Sequence, residues 1–308
     1  MYVTNHEIFQ NLKKGFVITR FTVSYPSFKT DYTMKAFLNL FLIVILVFSV
    51  SCGDSKSESE SSESESSENT HNDFPNYVDS NNLRIFARQG VSTIFLNNVG
   101  ITYDEMFKEN SNVEQSMRLK YISISKDNHV FQRVGVDGMV NDSDFKAGTP
   151  PAPYADNVTD YIWEMDSEGA DQIGEVIEHL LHTITNVVLY LTYSDWDYKD
   201  SSSPLYIAMI EAIDKEIYDI SSYADLKNDE AYQKIITQEY AYWLILAEWD
   251  YYVITGKKAN GITGNEEFKI GTPSEIKTQL PLGHKLYKDY VDKIFSIPNK
   301  DKIISIFP

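Results

Sequence analysis

Residues 229–255 read DEAYQKIITQEYAYWLILAEWDYYVIT, a stretch of helical length with apolar side chains on most of its sides. A helix of that kind cannot rest on a surface, because every face it exposed would be apolar; other elements must enclose it. The folded part of the chain is therefore expected to be built around this helix, and the first question is which residues can do the enclosing.

The opening third cannot. From Met34 the chain reads MKAFLNLFLIVILVFSVSC, with a positive Lys35, an apolar run from Ala36 to Val50 interrupted at Asn39, and small residues before Cys52. These are the length and flanks of a secretory h-region, and the run is shorter than the ~20 apolar residues a membrane-spanning helix needs. The stretch resembles the signal of bacterial lipoproteins, which are cleaved before a cysteine that then becomes lipid-modified. Ser51 and Cys52 fit that pattern, while Ser49 stands where the family usually has leucine. The resemblance implies a signal peptide at 34–51, a lipid on Cys52, attachment to a membrane through that lipid, and a place in the bacterial cell envelope. Residues 1–33 then precede the true initiator. The alternative keeps Met1 as the start and makes the apolar run a short anchor.

Cys52 is the single cysteine of the 308-residue chain, so an internal disulfide and a cysteine-rich zinc cluster are both excluded. After it comes SKSESESSESESSENTHND, whose alternating Ser and Glu bury nothing and repel one another along the chain. Residues 52–74 are expected to be an extended tether, and residues 75–308 a single globular domain with a mixed strand and loop lobe at 75–150 and a helical lobe at 160–308. The formal charge of −18, from 45 acids against 27 bases, argues against nucleic acid as a partner. With 21 Tyr and 16 Phe the chain has ample material for a core.

Within the first lobe, NNLRIFARQGVSTIFLNN and MRLKYISISKDNHVFQRVGV carry β-branched and aromatic residues at near-alternating positions. They predict a small sheet near residues 83–136, with a helical turn between them at TYDEMFKEN. Residues 137–157 are rich in Gly, Pro, Asn and Asp and read as a long loop; Asp142 and Asp144 within it lack the spacing of a calcium loop. From residue 167 the pattern changes to long helices: Ser167 to Leu191, a second after Pro204, the enclosed third, and a short last one in GHKLYKDYVDKIF. The expected class is α+β with helices dominant.

In the first long helix Ile173, Val176, Ile177, Leu180, Leu181 and Ile184 define one apolar face. At 100° per residue, Glu175, Glu178, His179 and His182 gather in an arc of about 100° opposite that face. Glu178 and His182 stand four apart and His179 and His182 three apart, so either pair offers oxygen or imidazole ligands to one ion. Polar residues opposite an apolar stripe are also what any surface helix shows. On the third helix Glu239 projects to the same side as Ile235, Trp243 and Leu246, so its carboxylate is expected to point into apolar surroundings and to need a cationic partner: a metal ion, a histidine of the first helix, or a Lys, Arg or Tyr hydroxyl. Glu248 projects to the opposite side.

These two helices resemble the zinc metallopeptidases of the gluzincin type, lethal-factor-like members included, which carry HExxH on one helix and a glutamate ligand on a later one. The corresponding run here is EHLLH, Glu178 to His182, followed later by QEYAYWLILAEW. His182 matches the second histidine ligand and Glu239 the later glutamate. Glu178 stands where the family has its first histidine, and His179 where it has the catalytic glutamate, which takes a proton from the zinc-bound water. The resemblance implies a zincin-like fold, a zinc ion and peptide-bond hydrolysis. The exchange leaves two arrangements open: Glu178 ligates and His179 acts as base, or the metal sits in a shifted register held by His179 and His182, with Glu175 as base or supporting partner.

Other chemistries fit less well. A di-iron bundle needs two ExxH pairs, which the chain lacks; TGKKANGITGNEE has neither the spacing nor the following helix of a phosphate loop; and His284 reads as a helix-start residue. Two functional expectations result: a lipid-anchored envelope protein with a metal-binding, zincin-like domain that is a metallopeptidase or an inactive relative of one, or a non-catalytic envelope lipoprotein that binds a peptide or protein partner.

Overall fold

A computed structural model describes residues 73–137, 150–154, 160–167 and 169–308. The expected signal segment, Cys52, the upstream residues 1–33, all but the end of the tether, and Asp142 and Asp144 lie outside the described residues. The described residues all belong to one compact unit.

The unit opens with a hairpin. β1 (Asn76–Ser80) and β2 (Leu83–Ala87) are antiparallel, joined by Asn81 and Asn82, both at positive φ. A two-residue turn that matches the strand twist requires that conformation, and asparagine tolerates it better than most residues. The chain then crosses over through two helices, α1 (Thr93–Glu105) and α2 (Gln115–Asp127). It returns as β3 (Phe131–Val136), parallel to β2, and β4 (Tyr161–Glu164), parallel to β3. The sheet order is β1-β2-β3-β4. Alternation sorts its faces: Leu83, Ile85, Ala87, Val134 and Ile162 join the main core, while Phe86, Phe131 and Tyr161 pack with Phe74 in a smaller aromatic cluster.

The α+β class is as expected, and β2 and β3 lie in the expected strand region. Half of that region is helical instead. STIFLNN starts α1, where the Ser92 hydroxyl accepts the Phe95 amide at the N-cap. The near-alternation of MRLKYISIS is that of α2, whose buried residues, Arg118, Tyr121 and Ser125, recur at helical steps. Arg118 donates to the carbonyls of Phe107, Lys108 and Ile294, and Tyr121 stacks edge-on against Phe295. β-branched residues at i and i+2 imitate a strand, but tertiary packing selects the helix. The helical turn expected at TYDEMFKEN is the end of α1.

The helical lobe follows expectation more closely. α3 (Ala170–Thr183) continues through a π-helical segment, Ile184–Leu189, into a last turn, Tyr190–Thr192. α4 (Pro204–Asp214) starts at its proline behind an Ser203 cap. α5 (Tyr232–Glu248) is buried at every position from Ile236 to Glu248, so the enclosed helix is indeed central. α6 (Pro273–Gln279) precedes α7 (Pro281–Leu286), which runs on through π-helical Tyr287–Val291 to Asp292–Ile294, and α8 (Lys300–Ile306) ends the fold. Among the described residues no helix is long and apolar enough to cross a membrane.

Candidate metal centre

The apolar face of α3 is buried as the sequence demands, yet its polar arc is not a wet surface: Gln172, His179, His182, Thr183 and Asn186 are buried too. Three neighbours cover it. The outer edge of β4 lies along the first turns of α3, where Glu175 accepts the Trp163 amide at 2.9 Å. Gln172 completes that seam by accepting the Met165 amide and donating to the Trp163 carbonyl. Next, α5 crosses the middle of the arc. On the remaining side, residues 255–257 approach so closely that a Cβ on Gly174 would stand 2.7 Å from the Thr255 carbonyl oxygen. Glycine at 174 thus lets Lys257 reach α3, and its ammonium lies 2.8 Å from Oε2 of Glu178.

His182 occupies the centre and is 1 % exposed. Its Nδ1 lies 3.3 Å from Asp160 Oδ2 and 3.0 Å from Gln238 Nε2; Gln238 itself donates to the same Asp160 oxygen at 3.2 Å. Asp160 Oδ2 accepts and the Gln238 amide nitrogen, whose oxygen is taken by Asn186, donates, so Nδ1 bonds one or the other according to the tautomer; in the form that ligates a metal through Nε2 the ring proton is on Nδ1, directed at Asp160. The lone pair is then on Nε2. That atom is buried without a hydrogen-bond partner and stands 3.7 Å from Oε1 of Glu239. Glu239 is buried in turn and accepts no hydrogen bond from any described residue, which makes this imidazole its counter-group. The separation is too long for a hydrogen bond. Two ligand bonds of about 2.0–2.1 Å at a tetrahedral angle put donor atoms about 3.4 Å apart, so the gap has the width of a shared ion. Ligand atoms of Glu178, His182 and Glu239 all lie within 4.8 Å of one another.

Support for His182 is built around it. The π-helical segment that follows points Asn186 at Gln238, to whose Oε1 it donates at 2.6 Å. Gln132 of β3 donates to the backbone carbonyl of Asp160 and accepts from the Thr183 hydroxyl. A histidine whose distal nitrogen is fixed by a carboxylate is the usual arrangement behind a ligating imidazole.

His179 and Glu175 form a second arm. Nε2 of His179 is 3.2 Å from Glu175 Oε1, and its Nδ1, buried and without a hydrogen-bond partner, is 3.9 Å from Asp160 Oδ2. Asp160, His179 and His182 thus make an outer triad beside the inner one of Glu178, His182 and Glu239. The five residues singled out in the sequence are all brought together, but on two sides of the His182 ring. Glu175 is spent on Trp163 and His179, with the latter turned toward Asp160.

The charges follow from this layout. Burial, reinforced by the carboxylates of Glu178, Glu267 and Asp160, pushes Glu239 well above the ordinary carboxylate range. Burial acts on Glu178 in the same sense, but the charges of Lys257, His179 and His182 overcome it and bring the group down to about 2. For His179, burial opposes the proton, while Glu175, Glu178 and Asp160 outweigh it and lift the pKa to about 10. Asp160, its side chain 44 % exposed at the rim, gives up solvation on its protein side. The His182 hydrogen bond and the His179 charge nevertheless hold it low.

Asp160, Gln238 and Lys257 were not evident in the sequence. Asp160 carries no motif, Gln238 reads as one polar residue in an apolar helix, and Lys257 lies in a stretch that reads as a flexible turn. Glu248 and His284 pair with each other at 2.7 Å, apart from this cluster. The described residues therefore contain buried His, Asp and Glu groups that could hold a metal ion. Comparison with protein-family models, with curated proteins and with solved structures finds no match.

Proposed function

We propose that this chain is a lipid-anchored protein of the bacterial cell envelope whose folded unit binds a divalent metal ion through Glu178, His182 and Glu239, in a zincin-like arrangement between α3 and α5. The observation that carries this reading is that His182 Nε2, buried and without a hydrogen-bond partner, stands 3.7 Å from Oε1 of the largely buried Glu239. One imidazole nitrogen and two carboxylates suit zinc. Zinc in such a place supplies a Lewis acid and an acidified water. The chain's own residues do the rest: Asp160 and Gln238 orient His182, and Lys257 holds one oxygen of Glu178, leaving the other free. His179, kept protonated near neutral pH by Glu175 and its other carboxylate neighbours, is the acid–base group closest in sequence to these ligands, and it serves peptide hydrolysis as a proton donor only if its ring turns from Asp160 toward the inner triad.

One observation weighs against a second reading, a non-catalytic lipoprotein that binds a peptide or protein partner along the sheet edge. Extended peptides commonly dock by adding to a free sheet edge, and the outer edge of β4 beside the centre is already closed at Trp163 by Gln172 and Glu175.

The test uses the full chain purified from membranes in detergent. Elemental analysis is expected to find about one equivalent or more of a transition metal, with melting lowered by chelator; less than about a tenth of an equivalent, and melting indifferent to chelator, removes the metal reading. Labelling with palmitate, expected to disappear in Cys52→Ser, tests the anchor. Cleavage of a mixed peptide library by the loaded protein separates peptidase from binder.

A further inference from the structure

The inner triad leaves one feature unused. His179 Nδ1 is buried and has no hydrogen-bond partner, on a residue only 7 % exposed. Its other nitrogen faces Glu175 at 3.2 Å, and a carboxylate there takes the N–H, so Nδ1 presents a lone pair when the ring is neutral. Two further donor atoms converge on the same space: Asp160 Oδ2, 3.9 Å from His179 Nδ1 and 3.3 Å from His182 Nδ1. These separations bracket the ~3.4 Å between neighbouring ligands of a tetrahedral ion. The three residues form a ligand-width triad. Asp160 is partly exposed, which gives an ion a way in from solvent and room for water in its shell.

We propose that Asp160, His179 and His182 form a second cation site, on the solvent side of the His182 ring, suited to a first-row divalent ion such as Zn(II) or Cu(II). Two imidazole nitrogens and one carboxylate are donors of that class. The outer site does not depend on the inner one being filled. The two sites would share the His182 ring, which presents Nε2 to the inner one and Nδ1 to the outer.

The experiment takes the full chain in detergent, stripped of metal, and titrates it with Zn(II) against a chromophoric competitor in weak buffer. The wild-type chain is expected to bind two equivalents. Glu239→Gln should keep one, in the outer site. His179→Gln should also keep one, in the inner site: its amide reaches the Nε2 position and preserves the bond to Glu175 while removing the Nδ1 ligand. Circular dichroism and chelator-treated melting of each variant confirm that it is folded. If His179→Gln binds as much metal as wild type, the outer site is overturned and the inner reading stands. One equivalent in wild type, kept in Glu239→Gln and lost in His179→Gln, supports the outer site and removes the inner. No binding by the wild-type chain overturns both.

Discussion

His182 Nε2 and Glu239 Oε1 face each other across 3.7 Å inside the protein, one on α3 and one on α5, the imidazole nitrogen buried without a hydrogen-bond partner. A buried carboxylate in that position is costly unless it is protonated or a cation joins it. Its stability effect consequently has a sign that can be worked out. A carboxyl whose folded-state pKa lies above its unfolded value detracts from stability as pH rises past that unfolded value, 4.5 for Glu239. The metal-free protein should become less stable from about pH 4.5 upward on account of this group.

Replacing Glu239 by Gln removes that slope. At pH 8 the metal-free variant is expected to be more stable than wild type by about 1–3 kcal/mol, the scale of an unsatisfied buried polar group, and to lose the stabilisation by zinc. Denaturant melts with and without zinc at pH 5 and pH 8 check both halves. A metal-free variant less stable than wild type at pH 8 would mean that the carboxylate already has a partner.

Asp160 touches the inner ligands through His182, whose Nδ1 lies 3.3 Å from its Oδ2. Asp160→Asn should weaken zinc binding at Glu178, His182 and Glu239 by about 10–100-fold, as loss of a carboxylate behind a ligating histidine does. Competition with a chelator of known affinity measures it. An unchanged affinity would show that Gln238 alone orients the ring.

Lys257 is the cation that balances Glu178 in the metal-free protein. Lys257→Met should cost about 2–3 kcal/mol without metal, somewhat under the ~3–5 of a fully buried broken pair because both side chains retain some exposure. Zinc should recover part of the loss. The depressed Glu178 pKa adds a pH signature. Its stabilisation is complete above the unfolded value of 4.5 and is lost as pH falls through 4.5 toward about 2. The variant should be less sensitive to acid over that window, and an acid melt parallel to wild type would contradict the pairing.

Gly174 allows the approach of residues 255–257. An alanine there places its Cβ 2.7 Å from the Thr255 carbonyl oxygen and 3.1 Å from Cε of Lys257, so the segment must move away from α3. Gly174→Ala is expected to destabilise by about 1–3 kcal/mol, although alanine is the better helix former. A denaturation midpoint equal to or above wild type would show that the segment yields freely.

The comparison of expectation with outcome separates along one line. The central helix was legible in 229–255 because a sequence apolar on most sides has no alternative to burial, and every residue from Ile236 to Glu248 is buried. The length of α3, its apolar face, and the inward direction of Glu239 were legible because they follow from 100° per residue. α2 was not: MRLKYISIS satisfies both periods locally, and Tyr121 and Arg118 chose the helix only by reaching Phe295 and the carbonyls of Phe107 and Ile294. β1 and β4 were missed as well, being five and four residues long, and β4 pairs with a strand distant in the chain.

By itself the sequence determined the long helices of the second lobe, the face that α3 buries, the burial of α5 on all sides, and that Glu175, Glu178, His179 and His182 share one arc of α3. Periodicity decides such things within a single element. Only the tertiary structure decided that this arc is enclosed, that Glu239 meets His182, that Asp160 backs the imidazole, and that Lys257 returns to Glu178. Those are encounters between residues far apart in the chain, and they depend on how the strand edge, the central helix and the segment after it pack around α3, which no local spacing encodes.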